Sequence, residues 1–259
     1  MLKTLFLALV TVLFSATTAL AHFGMVIPTQ STVDDQKNSS LSLLVAFAHP
    51  MEMQGMDMAR PIEFGVFSDG AKTSLLDGLK QIKAMEHQAW EGSFSFKRPG
   101  LAQFYVIPEP YWEPAEDCFI QHIVKTVVPA FGEEEGWDKP LGLKAEIVPL
   151  TRPFANYAGN VFQGRVLFNG KPAPGVVVEV EYFNKDKACE APNAYFTTQA
   201  VMTDANGVFT YAVPWAGWWG FAALSTSDEK KAHDGKDKDI ELGAVLWTEF
   251  LSPKVKAGK

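Results

Sequence analysis

The sequence predicts a mostly β protein built from two antiparallel β-sandwich domains with little helix. Short apolar segments of strand length recur along the 259-residue chain. Clusters of Asn, Asp, Gly and Pro separate them and supply the residues that tight turns require. Regular short strands between such turns are typical of antiparallel sandwiches.

The first 21 residues have the three parts of a secretory signal. Lys3 gives the positive start, Leu5 to Phe14 the apolar stretch, and Ala19-Leu20-Ala21 the small-residue cleavage site. Cleavage after Ala21 would make His22 the first residue of the exported protein. No later stretch approaches the roughly 20 apolar residues of a membrane span, so we expect none in the mature chain.

The first predicted domain covers residues 22–152. Its strands are predicted from apolar and β-branched segments, one of them ended by Pro50, which cannot continue a strand ladder. Leu75, Leu76, Leu79 and Ile82 recur at helical spacing and predict a helix over residues 73–84. The predicted strands are Leu41–His49, Ile62–Phe67, a hairpin of Ser93–Phe96 with Gln103–Ile107, and Ile120–Val128.

Residues 151–160 contain Pro153 and Gly159 and predict the domain boundary. The second domain, 158–259, contains "GRVLFNGKPAPGVVVEVE" followed by "TDANGVFTYAVP". These segments resemble the opening of the transthyretin-like, carboxypeptidase-regulatory β-sandwich and its T-D-x-x-G-x-F turn. The resemblance covers about residues 158–225 and implies an immunoglobulin/transthyretin-like fold, but it implies little chemistry.

Charge and cysteine content limit the classes of partner. The chain has 23 basic and 30 acidic residues, a formal net charge of −7. Nucleic acids and anionic membranes bind clustered cations, so we expect neither as a partner. An exported chain meets oxidising conditions, which favour a disulfide between Cys118 and Cys189 over a metal-binding thiolate pair.

His22 is the first candidate metal ligand. A terminal histidine offers an α-amine and an imidazole, which together close a compact chelate ring on Ni²⁺, Co²⁺ or Cu²⁺. The alternative is that His22 merely follows the cleavage site. His49 strengthens the metal hypothesis, because it begins a segment with four methionines, whose thioethers suit a soft ion unless they pack in a core. That segment reads HPMEMQGMDM, with Met51, Met53, Met56 and Met58.

His122 is the third candidate. Strand alternation places it on the same face as Ile120 and Val124, so it is either a half-buried ligand or an ordinary core histidine. His87 and His233 lie in hydrophilic segments and are predicted to be solvated.

No hydrolase motif occurs in the sequence: there is no Gly-x-Ser-x-Gly elbow, no His-Glu-x-x-His helix and no phosphate-binding glycine loop. We therefore expect no enzyme activity. Trp215, Trp218 and Trp219 form a second possible site for sugars or partner proteins, or else the buried edge of a sandwich.

Four segments together resemble the periplasmic accessory proteins of nickel/cobalt uptake systems that use energy-coupling-factor-type transporters. They are "AHFGMVIP", "FAHPMEMQGMDMARPIEFGVF", "QHIVKTVVPAFG" and "GLKAEIVPLTRPF". The resemblance implies a periplasmic protein that captures Ni²⁺, or Co²⁺, and delivers it to membrane nickel/cobalt transporter components. His22, His49 and His122 fall within the matching segments.

Two other functions stay open at this stage. The methionine-rich segment is softer than nickel requires, so copper binding, or a copper-loaded oxidase with a terminal histidine brace, is an alternative. The other is a metal-free docking module that uses the sandwich and its tryptophans. Amine and imidazole ligands must be deprotonated, so metal affinity is expected to weaken as the pH falls through their ordinary pKa values of about 8 and 6.5.

Overall fold

A computed structural model describes residues 21–254. The predicted signal segment therefore lies outside the described residues, except for Ala21. The predicted mostly β fold is confirmed. Helical segments in the described part are three short 3₁₀ turns, Gln36–Asn38, Leu76–Gly78 and Ala194–Phe196, none of which could reach across a bilayer.

Nineteen strands account for most of the described chain. In the first half they are β1 (Phe23–Pro28), β2 (Ser40–His49), β3 (Gln54–Met56), β4 (Glu63–Ser68), β5 (Ala71–Ser74), β6 (Lys80–Ala84), β7 (His87–Ser95), β8 (Gly100–Ile107), β9 (Tyr111–Glu113), β10 (Cys118–Ala130) and β11 (Ala145–Pro149). In the second half they are β12 (Asn156–Tyr157), β13 (Val161–Phe168), β14 (Lys171–Pro172), β15 (Val177–Tyr182), β16 (Gln199–Met202), β17 (Val208–Ala212), β18 (Gly217–His233) and β19 (Lys236–Leu251).

The strands form three sheets. A central sheet of ten strands has the order β16-β15-β18-β19-β10-β8-β4-β5, with β9 beside β10 and β12 beside β19. The first outer sheet has the order β1-β2-β7-β6, with β3 beside β2. The second outer sheet has the order β11-β13-β14, with β17 beside β13.

Alternation along the central strands places two apolar cores on opposite faces of the central sheet. On β10, Ile120 and Val124 belong to the core under the first outer sheet, whereas Ile123 belongs to the core under the second. On β19, Trp247 faces the first core and Leu246 the second. The fold is therefore two sandwiches that share one sheet.

The two halves of the chain meet through a parallel pair at the centre. β10 and β19 run parallel, with His122 opposite Gly243, whereas the strand pairs of the outer sheets are antiparallel. Strands from both predicted domains thus share hydrogen bonds, and the division into 22–152 and 158–259 stays a prediction.

A buried ion pair joins the central and second outer sheets. Lys125 Nζ on β10 lies 2.7 Å from Glu146 Oε1 on β11, and both side chains are almost fully buried. Glu146 also accepts hydrogen bonds from the amides of Leu141 and Gly142, so its charge is well satisfied. Burial lowers the pKa of Lys125, and Glu146 opposes that change.

Three local predictions were wrong. Residues 73–84 are the end of β5, a 3₁₀ turn and β6, and their leucines face the first core through this bent path rather than from a helix. The predicted hairpin of Ser93–Phe96 with Gln103–Ile107 does not form, because β7 pairs in the first outer sheet and β8 in the central sheet. Cys118 and Cys189 are both free thiols, so the predicted disulfide is absent from the described residues.

Candidate metal centre

His22 and His49 lie side by side because of the register between β1 and β2. Phe23 pairs with Ala48, so the next position outward places His22 opposite His49. Their ring centroids are 4.6 Å apart. Both histidines are buried, with 8% and 6% of their surface exposed. Residues 27 positions apart in the sequence therefore form one imidazole pair.

The carbonyl oxygen of Ala21 is bonded to His49. Nδ1 of His49 lies 2.8 Å from this oxygen, and Ala21 itself is buried. The oxygen belongs to the same planar peptide group as the His22 nitrogen, which bond lengths place roughly 2.3 Å away. The bond predicted to be cleaved thus lies directly beside the His49 ring.

Glu113 holds the other side of the His22 ring. Nε2 of His22 lies 3.0 Å from Glu113 Oε2, while Nδ1 lies 3.9 Å from Glu116 Oε1. The pKa of His22 is lowered to about 4, chiefly because it is buried and also because His49 is close; Glu113 opposes this change. The ring is therefore neutral at pH 7, as a metal ligand must be. With its Nε2–H donated to the carboxylate, Nδ1 carries the free lone pair.

His122 is the most deeply buried of the three histidines. It is 1% exposed, and its Nε2 lies 3.3 Å from Glu241 Oε1. Its Nδ1 has no hydrogen-bond partner. The ring fits because the facing residue on β19 is Gly243, where a Cβ would lie only 2.3 Å from His122 Cδ2.

Two of the three predicted ligands, His22 and His122, lie next to Phe47. Its ring centroid lies 5.7 Å from that of His22 and 5.9 Å from that of His122. Burial raises the pKa of Glu241, but the hydrogen bond and charge of His122, together with the charge of His22, outweigh this effect and lower it. The predicted same-face placement of His122 with Ile120 and Val124 is confirmed.

The present arrangement is not a ready-made metal site. Across residues 21–254, no three His, Cys, Asp or Glu side chains are arranged so that they could hold an ion. Two further features oppose metal binding in the uncleaved chain: the His22 nitrogen is part of a peptide bond, and the Ala21 carbonyl occupies His49 Nδ1. Both disappear if the chain is cleaved after Ala21.

The methionines of the HPMEMQGMDM segment pack in the protein interior. Met58 is buried in the first core, and Met53 and Met56 pack against it. Met51 is also buried. The segment forms a turn and the edge strand β3, and its thioethers are used for packing, which is one of the two alternatives that the sequence left open.

The other candidates lie apart from this centre. His87 is partly exposed, with its Nδ1 3.3 Å from Asp57. His233 ends β18 and stacks on Trp112 at 3.7 Å, so the predicted solvated loop is the tip of a hairpin that turns at Asp234 and Gly235, both with positive φ. Trp218 and Trp219 are buried, and Trp215 is partly exposed.

Sequence reasoning missed the carboxylates of this centre. Glu113 and Glu241 are 128 positions apart, and acidic residues are too common in the chain to single these two out. They reach the histidines through two pairings: β9 on β10, and the parallel register of β19 on β10. Glu116 also lies near His22, and no local pattern in the sequence indicates that proximity.

Comparisons with known proteins give a family and distant structural likenesses. The family model described as "Domain of unknown function (DUF4198)" matches residues 19–227. None of the curated proteins matches the chain. Among solved structures, a 1.5-MDa bacterial ice-binding adhesin is similar at 11% identity, covering 93% of this chain and 67% of its own, with a TM-score of 0.28. The D0-D1 domain of intimin gives 12% identity, 86% and 99% coverage, and a TM-score of 0.26. Domains of Escherichia coli alpha-2-macroglobulin are similar at 7% identity, covering 87% of this chain and 72% of their own, with a TM-score of 0.24.

Proposed function

The chain belongs to the DUF4198 family, and we propose that it is a periplasmic protein that captures a divalent transition metal, nickel above all, and delivers it to a membrane uptake transporter. Cobalt is the alternative cargo of the same kind. The mechanism is capture and transfer, in which the protein makes and breaks coordination bonds only.

The proposal depends on the contact between His49 and Ala21. Cleavage after Ala21 removes the carbonyl that occupies His49 Nδ1 and converts the His22 nitrogen into an amine. An ion in the vacated space lies between this amine and His49 Nδ1. One hydrolysed bond thus supplies two nitrogen donors at one place.

The carboxylates support the same ligand set. A chelate ring between a terminal amine and its own imidazole needs Nδ1, and Glu113 at Nε2 leaves Nδ1 free for that purpose. Glu241 likewise accepts the Nε2–H of His122, and the Nδ1 of His122 has no hydrogen-bond partner. Metal-bound histidines almost always give their other N–H to such a group. The proposed donors are the His22 amine and Nδ1 and His49 Nδ1. His122 Nδ1 joins them when the rings shift on cleavage, because the three side chains do not form a metal-holding group in the described, uncleaved residues.

Compartment and partner come from the sequence resemblance. The predicted signal supports export, and the resemblance to nickel/cobalt accessory proteins supports delivery to transporter components. The net charge of −7 is compatible with attracting cations.

Copper is the second candidate cargo. An amine with imidazoles binds Cu²⁺ more tightly than Ni²⁺, because affinity rises along the series to copper. The adjacent His22 and His49 rings favour this alternative, whereas the interior packing of the methionines weighs against a Cu(I) thioether site. Metal content of protein purified from the periplasm distinguishes the two cargoes.

The decisive experiment compares two amino termini. Protein that begins at His22 is titrated calorimetrically with nickel beside protein that begins at Ala21. We expect the extra residue to weaken binding at least about 100-fold, because it moves the terminal amine from His22 to Ala21 and restores the carbonyl on His49. Equal thermal unfolding of the two metal-free forms is the control for folding.

Two outcomes contradict the proposal. The first is equal nickel affinity of the two forms. The second is mass spectrometry of the exported protein that finds a first residue other than His22.

A further inference from the structure

Strand β16 forms one end of the central sheet and has an open edge. Within residues 21–254 it pairs with β15 alone. Ala200 and Met202 are exposed, Met202 to 64%. The strand at the other end of the sheet, β5, contains Lys72, a residue type that discourages pairing with another chain. β16 reads Gln-Ala-Val-Met, so neither a charge nor a proline protects its edge.

The backbone groups of Ala200 and Met202 point away from β15. The N–H of Thr203 donates to the carbonyl of Val176 at 2.9 Å, which fixes the alternation of the β15–β16 ladder. In an antiparallel pair, every second residue bonds across the pair and the residues between them point outward. Val201 therefore bonds to β15, whereas Ala200 and Met202 present their N–H and C=O groups at the open edge.

These free groups are complementary to themselves. When a second copy lies antiparallel about a two-fold axis at Val201, Ala200 faces Met202 of that copy, and Met202 faces its Ala200. All four residues present outward groups, so each facing pair exchanges both of its hydrogen bonds. The two Val201 side chains meet at the axis as a β-branched cross-strand pair. A two-fold interface requires such a self-complementary surface.

Charge favours the same occupant. The charged residue nearest to β16 in the sequence is Asp204. In the register centred on Val201 it lies level with Thr198 of the second copy, which is uncharged. Like charges directly opposite each other destabilise a strand pair, and this pairing contains none.

Apolar surface beside the edge would be covered by a second copy. Phe196, just before β16, is 52% exposed. A groove of about 750 Å³ opens at the Gln199 end of the strand, and its lining includes Phe196, Tyr211 and Trp215. Covering such surface removes it from water and favours association. The strand itself has only four residues, about 13 Å, so the interface is small and the complex should be weak.

We propose that β16 is a dimerisation edge, at which two copies of this chain join their central sheets through antiparallel β16 strands centred on Val201. The inference goes beyond the proposed function and needs no metal. We expect a dissociation constant on the order of 10–100 μM, as is reasonable for a small interface.

The test is sedimentation velocity of the chain that begins at His22, with a chelator present so that metal cannot bridge two copies. Concentrations run from about 5 μM to about 500 μM, which spans the expected dissociation constant. We expect monomer at the lower end and mostly dimer at the upper end.

Two changes at the edge should weaken the dimer at least about tenfold. Ala200→Pro removes an N–H that points outward, so no hydrogen bond to β15 is lost. The double variant Ala200→Lys, Met202→Lys changes only exposed side chains and places ammonium groups opposite each other across the axis. Its matched control is Ala71→Lys, Thr73→Lys on exposed β5, which should dimerise normally. Thermal unfolding of each variant is the control for folding.

A cysteine tests the register. Val201→Cys should form a disulfide-linked dimer under mild oxidation, because this position faces itself across the axis. Gln199→Cys is the matched control, since it faces Thr203 of the second copy and should cross-link more slowly. The unaltered protein measures any cross-linking through Cys118 and Cys189.

Three outcomes overturn the inference. A chain that stays monomeric to about 500 μM leaves the edge to a strand of some other protein. A dimer that neither edge variant weakens has its interface elsewhere. Equal cross-linking of Val201→Cys and Gln199→Cys contradicts the register. Because no metal is present, none of these results bears on nickel affinity, and a failure to bind nickel leaves the dimer unaffected.

Discussion

The Nδ1 atom of His49 lies 2.8 Å from the carbonyl oxygen of Ala21, beside the peptide nitrogen of His22. This contact buries the bond whose cleavage the sequence predicts, since Ala21 and His22 are both less than a tenth exposed. A peptidase needs an accessible, extended bond, so we expect the predicted cleavage to precede folding of this end of the chain. The contact thus links export, folding and the proposed metal site.

Replacing His49 by Gln should weaken nickel binding at least about tenfold, because it removes an imidazole donor from the proposed site. Calorimetry on protein beginning at His22 measures the effect. His87→Gln is the matched control, since His87 is partly exposed and bonded to Asp57. If both variants bind nickel as the unaltered protein does, His49 is not a ligand.

Glu113→Gln should reduce nickel affinity about 10–100-fold although Glu113 touches no metal. The amide holds the His22 ring less firmly and no longer strengthens its Nδ1 donor. Glu113→Asp should recover part of the loss if the carboxylate keeps the proton of the His22 ring on Nε2 and so leaves Nδ1 free. Glu133→Gln, at a partly exposed site in the loop after β10, is the control. Unchanged affinity in Glu113→Gln would mean that the His22 ring is held by packing alone.

The strands of this fold were largely predictable, but their partners were not. Alternation and turn residues are local, so the predicted strand Leu41–His49 matches the observed β2, Ser40–His49, to within one residue. Pairing depends on where the chain goes after a turn. At Arg98-Pro99-Gly100 it passes from the first outer sheet to the central one, and no local pattern distinguishes that path from a hairpin.

The residues of the candidate site likewise fall into those that the sequence could indicate and those that it could not. His22, His49 and His122 could be chosen as candidate ligands because histidine is rare in this chain and one of them follows a predicted cleavage signal. Glu113 and Glu241 could not, because only strand pairing brings them to the histidines. The helix predicted from Leu75, Leu76 and Leu79 failed because apolar residues in a bent surface segment can match helical spacing by chance.

Stability should fall as the pH rises from about 5 to 8, partly because of Glu181. Burial raises its pKa to about 8 from 4.5, against the opposing hydrogen bonds from Thr198 and the Met51 amide. In this window the unfolded chain releases the proton and the folded protein keeps it, so rising pH favours unfolding, by at most about 3–4 kcal/mol.

The measurement for Glu181 is urea unfolding at both pH values. Glu181→Gln should flatten the pH dependence, while Glu190→Gln, on the exposed loop after β15, should not. The same slope in Glu181→Gln and the unaltered protein would show that Glu181 titrates normally in the folded state.

Gly243→Ala should damage the metal centre from the opposite side of His122. The added Cβ would lie 2.3 Å from His122 Cδ2 and 2.7 Å from Nε2, so the ring must turn and give up its bond to Glu241. We expect a loss of about 1–3 kcal/mol in unfolding free energy and at least tenfold weaker nickel binding. Gly78→Ala is the control, because its Cβ meets nothing within 4 Å and its φ is not positive. A destabilised Gly243→Ala protein that binds nickel normally would remove His122 from the ligand set and leave His22 and His49 in place, since those two meet through the β1–β2 register alone.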